Sequence, residues 1–179
     1  MGFLKDLFGV TDADLLNIGK PSGPIYTVNL IKEIKKYDTP SSAVHKPVPG
    51  TPVYCNLAIA FEHTGIYIGN NEIAHLNGDG DIEAVSPGEF VGRLDGSNPA
   101  MTIYFAEYGG KALGSSIIAN RAKSLIGSRR DYRVLLDNCH QFTCGCVSGD
   151  FENPCNYFWM VEMEIQSKFG SFCWKVWDY

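Results

Sequence analysis

Two short β-prone runs, Thr64-Gly65-Ile66-Tyr67-Ile68 and Glu72-Ile73-Ala74-His75-Leu76, flank the turn residues Gly69-Asn70-Asn71. This pattern reads as a β-hairpin, because glycine and asparagine tolerate the backbone angles of a tight reversal. An isolated hairpin is marginal in water, so its strands need further partners or a cover. The neighbouring sequence supplies them. Residues 53–61 are nearly continuously apolar, which suits a buried strand or two strands at a bend. Ile82-Glu83-Ala84-Val85 and Thr102-Ile103-Tyr104-Phe105-Ala106 read as further strands. Between them lie the turn Asn77-Gly78-Asp79-Gly80-Asp81 and a loop-like stretch over residues 87–99.

The second half of the chain changes period. Ser115 or Ser116 caps an expected helix running to about Ile126, with Ile118, Ala122 and Leu125 on one face and Gly127 just past its end. Tyr132-Arg133-Val134-Leu135-Leu136 reads as a brief extended segment. Asp137 or Asn138 then caps a second helix, beginning at Cys139 and ending near Ser148-Gly149. Residues 150–179 are rich in aromatics and suit a last helix or a cover over an apolar surface. Residues 1–49 read as an N-terminal extension of one or two short helices packed on the core. Phe3, Leu4, Leu7 and Phe8 have helical spacing, as do Val28, Ile31 and Ile34, and Gly/Pro-rich breaks separate them. The whole is expected to be one α+β domain.

Several function classes are disfavoured by composition. A net charge of −5 over 179 residues argues against a protein that tracks nucleic-acid phosphates. The first residues carry one lysine and no long apolar run, which is unlike a secretory signal, and no stretch approaches the ~20 apolar residues of a membrane-spanning helix. Asp6 stands where a myristoylation signal wants Ser or Thr. A cytoplasmic protein is expected, with its six cysteines as free thiols. Cys144 and Cys146 are too closely spaced for a zinc knuckle and have no second pair, so no metal and no cofactor is expected.

One cysteine stands in a chemically active position. Cys139 follows two capping residues, so its sulfur lies near unpaired backbone N–H groups and the positive end of a helix dipole. That environment favours a thiolate and offers donors to an oxyanion. Without further context, a buried structural cysteine is the equal alternative. Thiol catalysis also needs a base and a group that orients it. With a three-residue loop centred on Asn70, Ile68 faces Glu72 and Gly65 faces His75. His63 and His75 then share one sheet face as diagonal neighbours, about 7–8 Å apart at the backbone. A shift of one residue would send them to opposite faces.

The run His63-Thr64-Gly65-Ile66-Tyr67-Ile68-Gly69, followed by His75-Leu76, resembles the lecithin:retinol acyltransferase-like family of the NlpC/P60 permuted papain-like proteins. Gly50-Thr51-Pro52-Val53 resembles that family's entry into its first strand. The segment Arg121-Ala122-Lys123-Ser124-Leu125-Ile126-Gly127, then Tyr132, Asn138-Cys139-His140-Gln141-Phe142 and Gly149 extend the likeness. It covers about residues 50–149. The resemblance implies a small antiparallel sheet packed on helices, with Cys139 as nucleophile, His63 as general base and His75 as the orienting third member. Asn138, His140 and Tyr67 are candidates for the oxyanion site or its surroundings. His140 and Gln141 depart from the family's usual Glu-His after the cysteine, and His45 and His140 are expected to be largely dispensable. Family members form a thioester and pass the acyl group to water, an amine or an alcohol, and several act on phospholipids.

Three readings follow. The first is a lipid-directed thiol acyltransferase or phospholipase taking an acyl donor such as a phospholipid. Phe151, Phe158, Trp159, Phe172, Trp174 and Trp177 suit acyl chains or a peripheral membrane contact, unless they pack the core. The second is a thiol amidase or peptidase acting on an amide or peptide substrate. The third is a non-catalytic binding module, which has no need to retain Cys139, His63 and His75 together.

Overall fold

A computed structural model describes residues 46–58, 61–92, 102–130 and 138–179, with the backbone alone described at 57, 58 and 61. The expected N-terminal helices, His45 and the extended segment at 132–136 lie outside the described residues. Strands β1 (Thr51–Ala58), β2 (Phe61–Gly69), β3 (Glu72–Leu76), β4 (Ile82–Val85), β5 (Ile103–Tyr108), β6 (Lys111–Ala112) and β7 (Cys173–Trp177) form one antiparallel sheet. Its order is β4-β3-β2-β1-β5, with β6 and β7 both pairing β5. Four helices are described: α1 (Pro87–Val91), α2 (Ser116–Leu125), α3 (Cys139–Ser148) and α4 (Phe158–Phe169). The fold is α+β, a small antiparallel sheet packed against helices, as the papain-like resemblance implied.

The hairpin forms by a different route from the expected one. Asn70 and Asn71 both adopt positive φ, 54° and 61°, the signature of a two-residue turn whose twist matches its flanking strands. Gly69 therefore pairs with Glu72, not Ile68 as the three-residue loop required. A β-bulge between Tyr67 and Gly69 absorbs the extra residue, and Ile66 pairs with Ala74. Continued by one residue, that register sets Gly65 opposite His75. The shorter loop and the bulge cancel, so both histidines keep a common face.

Both faces of the sheet are covered, which explains why β1 and β2 lack a clean polar alternation. Ile66, Ile68, Ala74 and Leu76 pack on Ile118, Ala122, Phe142 and Val147 of α2 and α3. On the other face Val53, Cys55, Ile73, Ile103 and Phe105 surround Phe90 and Trp177. Phe90 belongs to α1, in a stretch that reads as loop in the sequence. Ser86-Pro87-Gly88-Glu89 is a capping box there: the Ser86 hydroxyl accepts from the Glu89 N–H while the Glu89 carboxylate accepts from the Ser86 N–H.

The aromatic tail divides the same way. Tyr157 precedes α4, and the chain then returns as β7 along β5, pairing Ile103 with Trp177 and Glu107 with Cys173. Trp174 and Trp177 lie an odd number of residues apart and point to opposite faces, where each is buried. They seal the two cores and are not available to a membrane. Trp159 remains exposed, as do Tyr157 and Met163.

Gly65 marks the tightest approach at the sheet centre: a Cβ there would sit 2.8 Å from both the Ala74 carbonyl oxygen and Ile73 Cγ2. Gly65→Ala should therefore destabilise the fold by about 1–3 kcal/mol, the usual cost of overpacking a close-packed interior. Urea unfolding monitored by tryptophan fluorescence measures it, and an unchanged midpoint would contradict this packing.

Candidate active site

The site begins at a helix cap. Asn138 stands at the N-cap of α3 in extended conformation, and its side-chain oxygen accepts from the backbone N–H groups of His140 at 2.9 Å and Gln141 at 3.3 Å. Its side-chain nitrogen donates to the Asn156 carbonyl at 3.0 Å. Asn138 thus builds the helix start, and two of the N–H groups that sequence reasoning offered to an oxyanion are occupied by it. The Cys139 N–H is the first-turn donor that Asn138 does not take.

Neighbouring residues of β2 reach neighbouring residues of α3. Thr64 Oγ1 lies 3.1 Å from His140 Nδ1 and accepts from the Thr143 hydroxyl at 3.0 Å. His63, next to Thr64, acts on the Cys139 thiol and favours its ionised form. Its Nε2 lies 2.7 Å from His75 Nδ1, with the two rings nearly perpendicular. His75 Nε2 in turn lies 3.8 Å from the Glu83 carboxylate. His140, expected to line the site and be dispensable, has its Nδ1 3.8 Å from the Cys139 sulfur. All three imidazoles and Cys139 are buried.

This surrounding decides the charge of the sulfur. Burial alone would push the Cys139 thiol up, but the positive charge and hydrogen bonds of His140 and His63 outweigh it. They hold the thiol well below its ordinary range. Burial pulls His140 down, and the adjacent Cys139 thiolate overcomes this and raises it, with Glu62 adding a smaller push. Both shifts favour a thiolate–imidazolium pair over the neutral one. Other cysteines go the opposite way: burial pushes Cys55 up to about 12, and raises Cys144, Cys146 and Cys155.

Tyr67 stands apart. Its ring packs edge-on against Trp177, and its hydroxyl accepts from the Asn71 N–H in the hairpin turn. Gln141, the second departure after the cysteine, exchanges hydrogen bonds with Asn153: its side-chain nitrogen donates to the Asn153 carbonyl at 2.6 Å, and Asn153 donates back at 3.0 Å. It ties the helix start to the segment beyond α3. Sequence reasoning missed Thr64, Thr143, Phe90 and Glu83. For Phe90 the Ser86-to-Glu89 spacing was a usable signal. The others are visible only once α3 and β4 are placed. Among the described residues, no group of three or more His, Cys, Asp or Glu side chains is arranged to hold a metal ion.

A lowered thiol pKa keeps a thiolate present as pH falls, so Cys139 should alkylate with iodoacetamide well below the ~8.5 of a free thiol. His140→Ala removes the larger of the two opposing charges on the sulfur and should move the onset of labelling to higher pH. Site-resolved mass spectrometry across a pH series checks both. Faster labelling at Cys55, Cys144 or Cys146 would overturn the electrostatic account.

The stretch from β1 through α3 carries every residue of this cluster. A family model described as lecithin retinol acyltransferase matches residues 45–152, more than half of the chain. Comparison with curated proteins gave no match. Proteins of this family, within the NlpC/P60 group, are generally thiol-dependent enzymes that process acyl or amide bonds. The chain belongs to the lecithin retinol acyltransferase family, on the extent of that match and on a fold consistent with it.

Proposed function

We propose that the protein is a thiol-dependent acyltransferase or hydrolase working through a thioester at Cys139, with a lipid ester as acyl donor. The observation that carries this reading is the position of the Cys139 sulfur. It sits at a helix N-terminus, 3.8 Å from one imidazole and under the electrostatic influence of a second, which is itself paired to a third at 2.7 Å. A merely structural cysteine has no need of such a surrounding.

In this reading His63 takes the Cys139 proton as the sulfur attacks the ester carbonyl, a C–S bond forms, and charge develops on the carbonyl oxygen. The Cys139 N–H and the N-terminal dipole of α3 are the groups suited to stabilise it. Collapse breaks the ester C–O bond, and the leaving alkoxide takes a proton from the His63 imidazolium. An acceptor (water, an amine or an alcohol) then gives its proton to His63 and attacks the thioester, releasing the thiolate. His75 holds the His63 ring in place. His140 lowers the thiol's hold on its proton and so eases the transfer to His63, a larger role than a lining residue has.

The lipid assignment rests on the family and on one surface. Trp159 and Met163 are exposed on α4, with Tyr157 just before it, and Asn156 beside them holds Asn138. Exposed aromatics of this kind suit acyl chains or a bilayer surface. Among the described residues, no helix is long and apolar enough to cross a membrane.

Intact-mass spectrometry after incubation with a phospholipid should show an acyl increment on Cys139 that hydroxylamine removes. An increment only from peptide or amide substrates would favour the amidase reading. No increment, together with a fully active Cys139→Ala protein, would defeat the thiol mechanism. His63→Gln should lower kcat by about 10²–10⁴, the usual share of general acid–base catalysis. His75→Gln should retain more activity, because it loses orientation and keeps the proton-transfer group.

A further inference from the structure

The hydrogen bond between His63 and His75 holds one proton and permits two arrangements. In the first, His63 Nε2 carries the proton and donates to His75 Nδ1, leaving His63 Nδ1 with a lone pair. In the second, His75 Nδ1 donates, and His63 must carry its proton on Nδ1. With Nε2 engaged by His75, Nδ1 is the nitrogen left to serve Cys139. Only the first arrangement lets it accept the thiol proton. Heavy-atom geometry at 2.7 Å is the same for both.

What lies on the far side of His75 selects between them. His75 and Glu83 are direct cross-strand partners in β3 and β4, and Glu83 Oε1 lies 3.8 Å from His75 Nε2. The carboxylate is held there. Asn77 donates to the same Oε1 at 2.5 Å, and Asn77 is itself fixed because its side-chain oxygen accepts from the Asp79 and Asp81 N–H groups, each at 2.9 Å. An ionised carboxylate only accepts. Its negative charge favours a proton on the nearer nitrogen, Nε2. That leaves His75 Nδ1 as the acceptor and places the His63 proton on Nε2.

We infer that Glu83 is a positioning residue that fixes the tautomers of His75 and His63, so that His63 presents its Nδ1 lone pair to the Cys139 thiol. The inference rests on the role proposed for His63. Glu83 lies beyond both imidazoles from the sulfur, so it acts on proton placement and not on substrate binding. The same anion stabilises positive charge on the imidazole pair once His63 has taken a proton. Glu83 is partly exposed, with its side chain 36% accessible against 0% for His75, so water weakens the effect. Loss of Glu83 should be felt on the order of tenfold in kcat, well short of the ~10⁴ caused by the wrong tautomer in the buried serine-protease site.

Nitrogen-15 spectra of the histidine rings in the uniformly labelled, unliganded protein test the assignment directly. His75 should be protonated at Nε2 and unprotonated at Nδ1, with His63 protonated at Nε2. Glu83→Ala should shift His75 toward the other tautomer and lower kcat about tenfold with KM unchanged, and Glu83→Asp should restore part of both. Wild-type spectra with the His75 proton on Nδ1, or Glu83→Ala spectra identical to wild type, would overturn the inference. The wild-type spectrum decides even where a variant fails to fold. Because it needs no turnover, it also stays separate from the fate of the proposed reaction, which an active Cys139→Ala protein would refute.

Discussion

The side chain of Asn138 accepts from the first backbone N–H groups of α3 while its nitrogen donates to the Asn156 carbonyl, and the site depends on this junction. Capping of this kind stabilises a helix by about 1 kcal/mol, modest beside what it positions. It sets the point at which α3 starts, and Cys139 is the first residue after it. The turn is then gripped from β2, where Thr64 meets His140 and Thr143. Gln141 adds a third tether through its exchange with Asn153. A sulfur on one element and imidazoles on another need such redundancy, since tenths of an ångström matter to proton transfer.

A buried thiolate is costly unless opposite charge comes with it. Here the compensation is imidazolium, and the helix dipole adds to it. Cys144 and Cys146 show what the same helix does without that company: burial raises both thiols. The difference between a thiol pushed up and one held down is therefore not helix membership. It is a place at the first turn, within reach of His140 and His63. The apolar side chains around the rings strengthen this by excluding water. Phe90 packs on His63 and His75 at centroid distances of 4.8 and 5.5 Å, and Phe158 approaches His140 at 6.1 Å.

The segments outside the obvious motifs contribute those walls. The short helix α1 delivers Phe90 beneath the histidine pair, and its capping box holds it in register. Phe158, at the start of α4, stacks with Trp174 and tilts against Tyr54, so the tail reaches the site through one aromatic cluster. Return of the chain as β7 adds a strand beside β5 and buries both Trp174 and Trp177. The tail is part of the core that supports the site. Its Tyr157, Trp159, Met163, Val176 and Tyr179 side chains face outward.

Local chemistry made much of this legible in advance. Asn138 and Gly149 bound α3, and Ser115 caps α2, because capping depends on residues within one turn of each other. The alternating strands, the Asn70-Asn71 reversal and the placing of His63 and His75 on one face likewise follow from period and turn preference. The form of the turn that closes the hairpin did not. A bulge and a shorter loop offset each other, and no local rule distinguishes that pair from the simpler three-residue loop. The strand β7 was hidden because its two tryptophans serve opposite faces, which breaks the alternation that would have announced it. Proximity across the chain was beyond any pattern. His140 beside the sulfur, Thr64 beneath His140 and Glu83 behind His75 each join residues from separate elements. Sequence by itself determined most of the elements and their caps, and singled out Cys139, His63 and His75 as candidates for thiol chemistry. Tertiary structure alone decided which imidazoles meet that sulfur and what charge it bears, because desolvation and Coulomb interactions act through space and not along the chain.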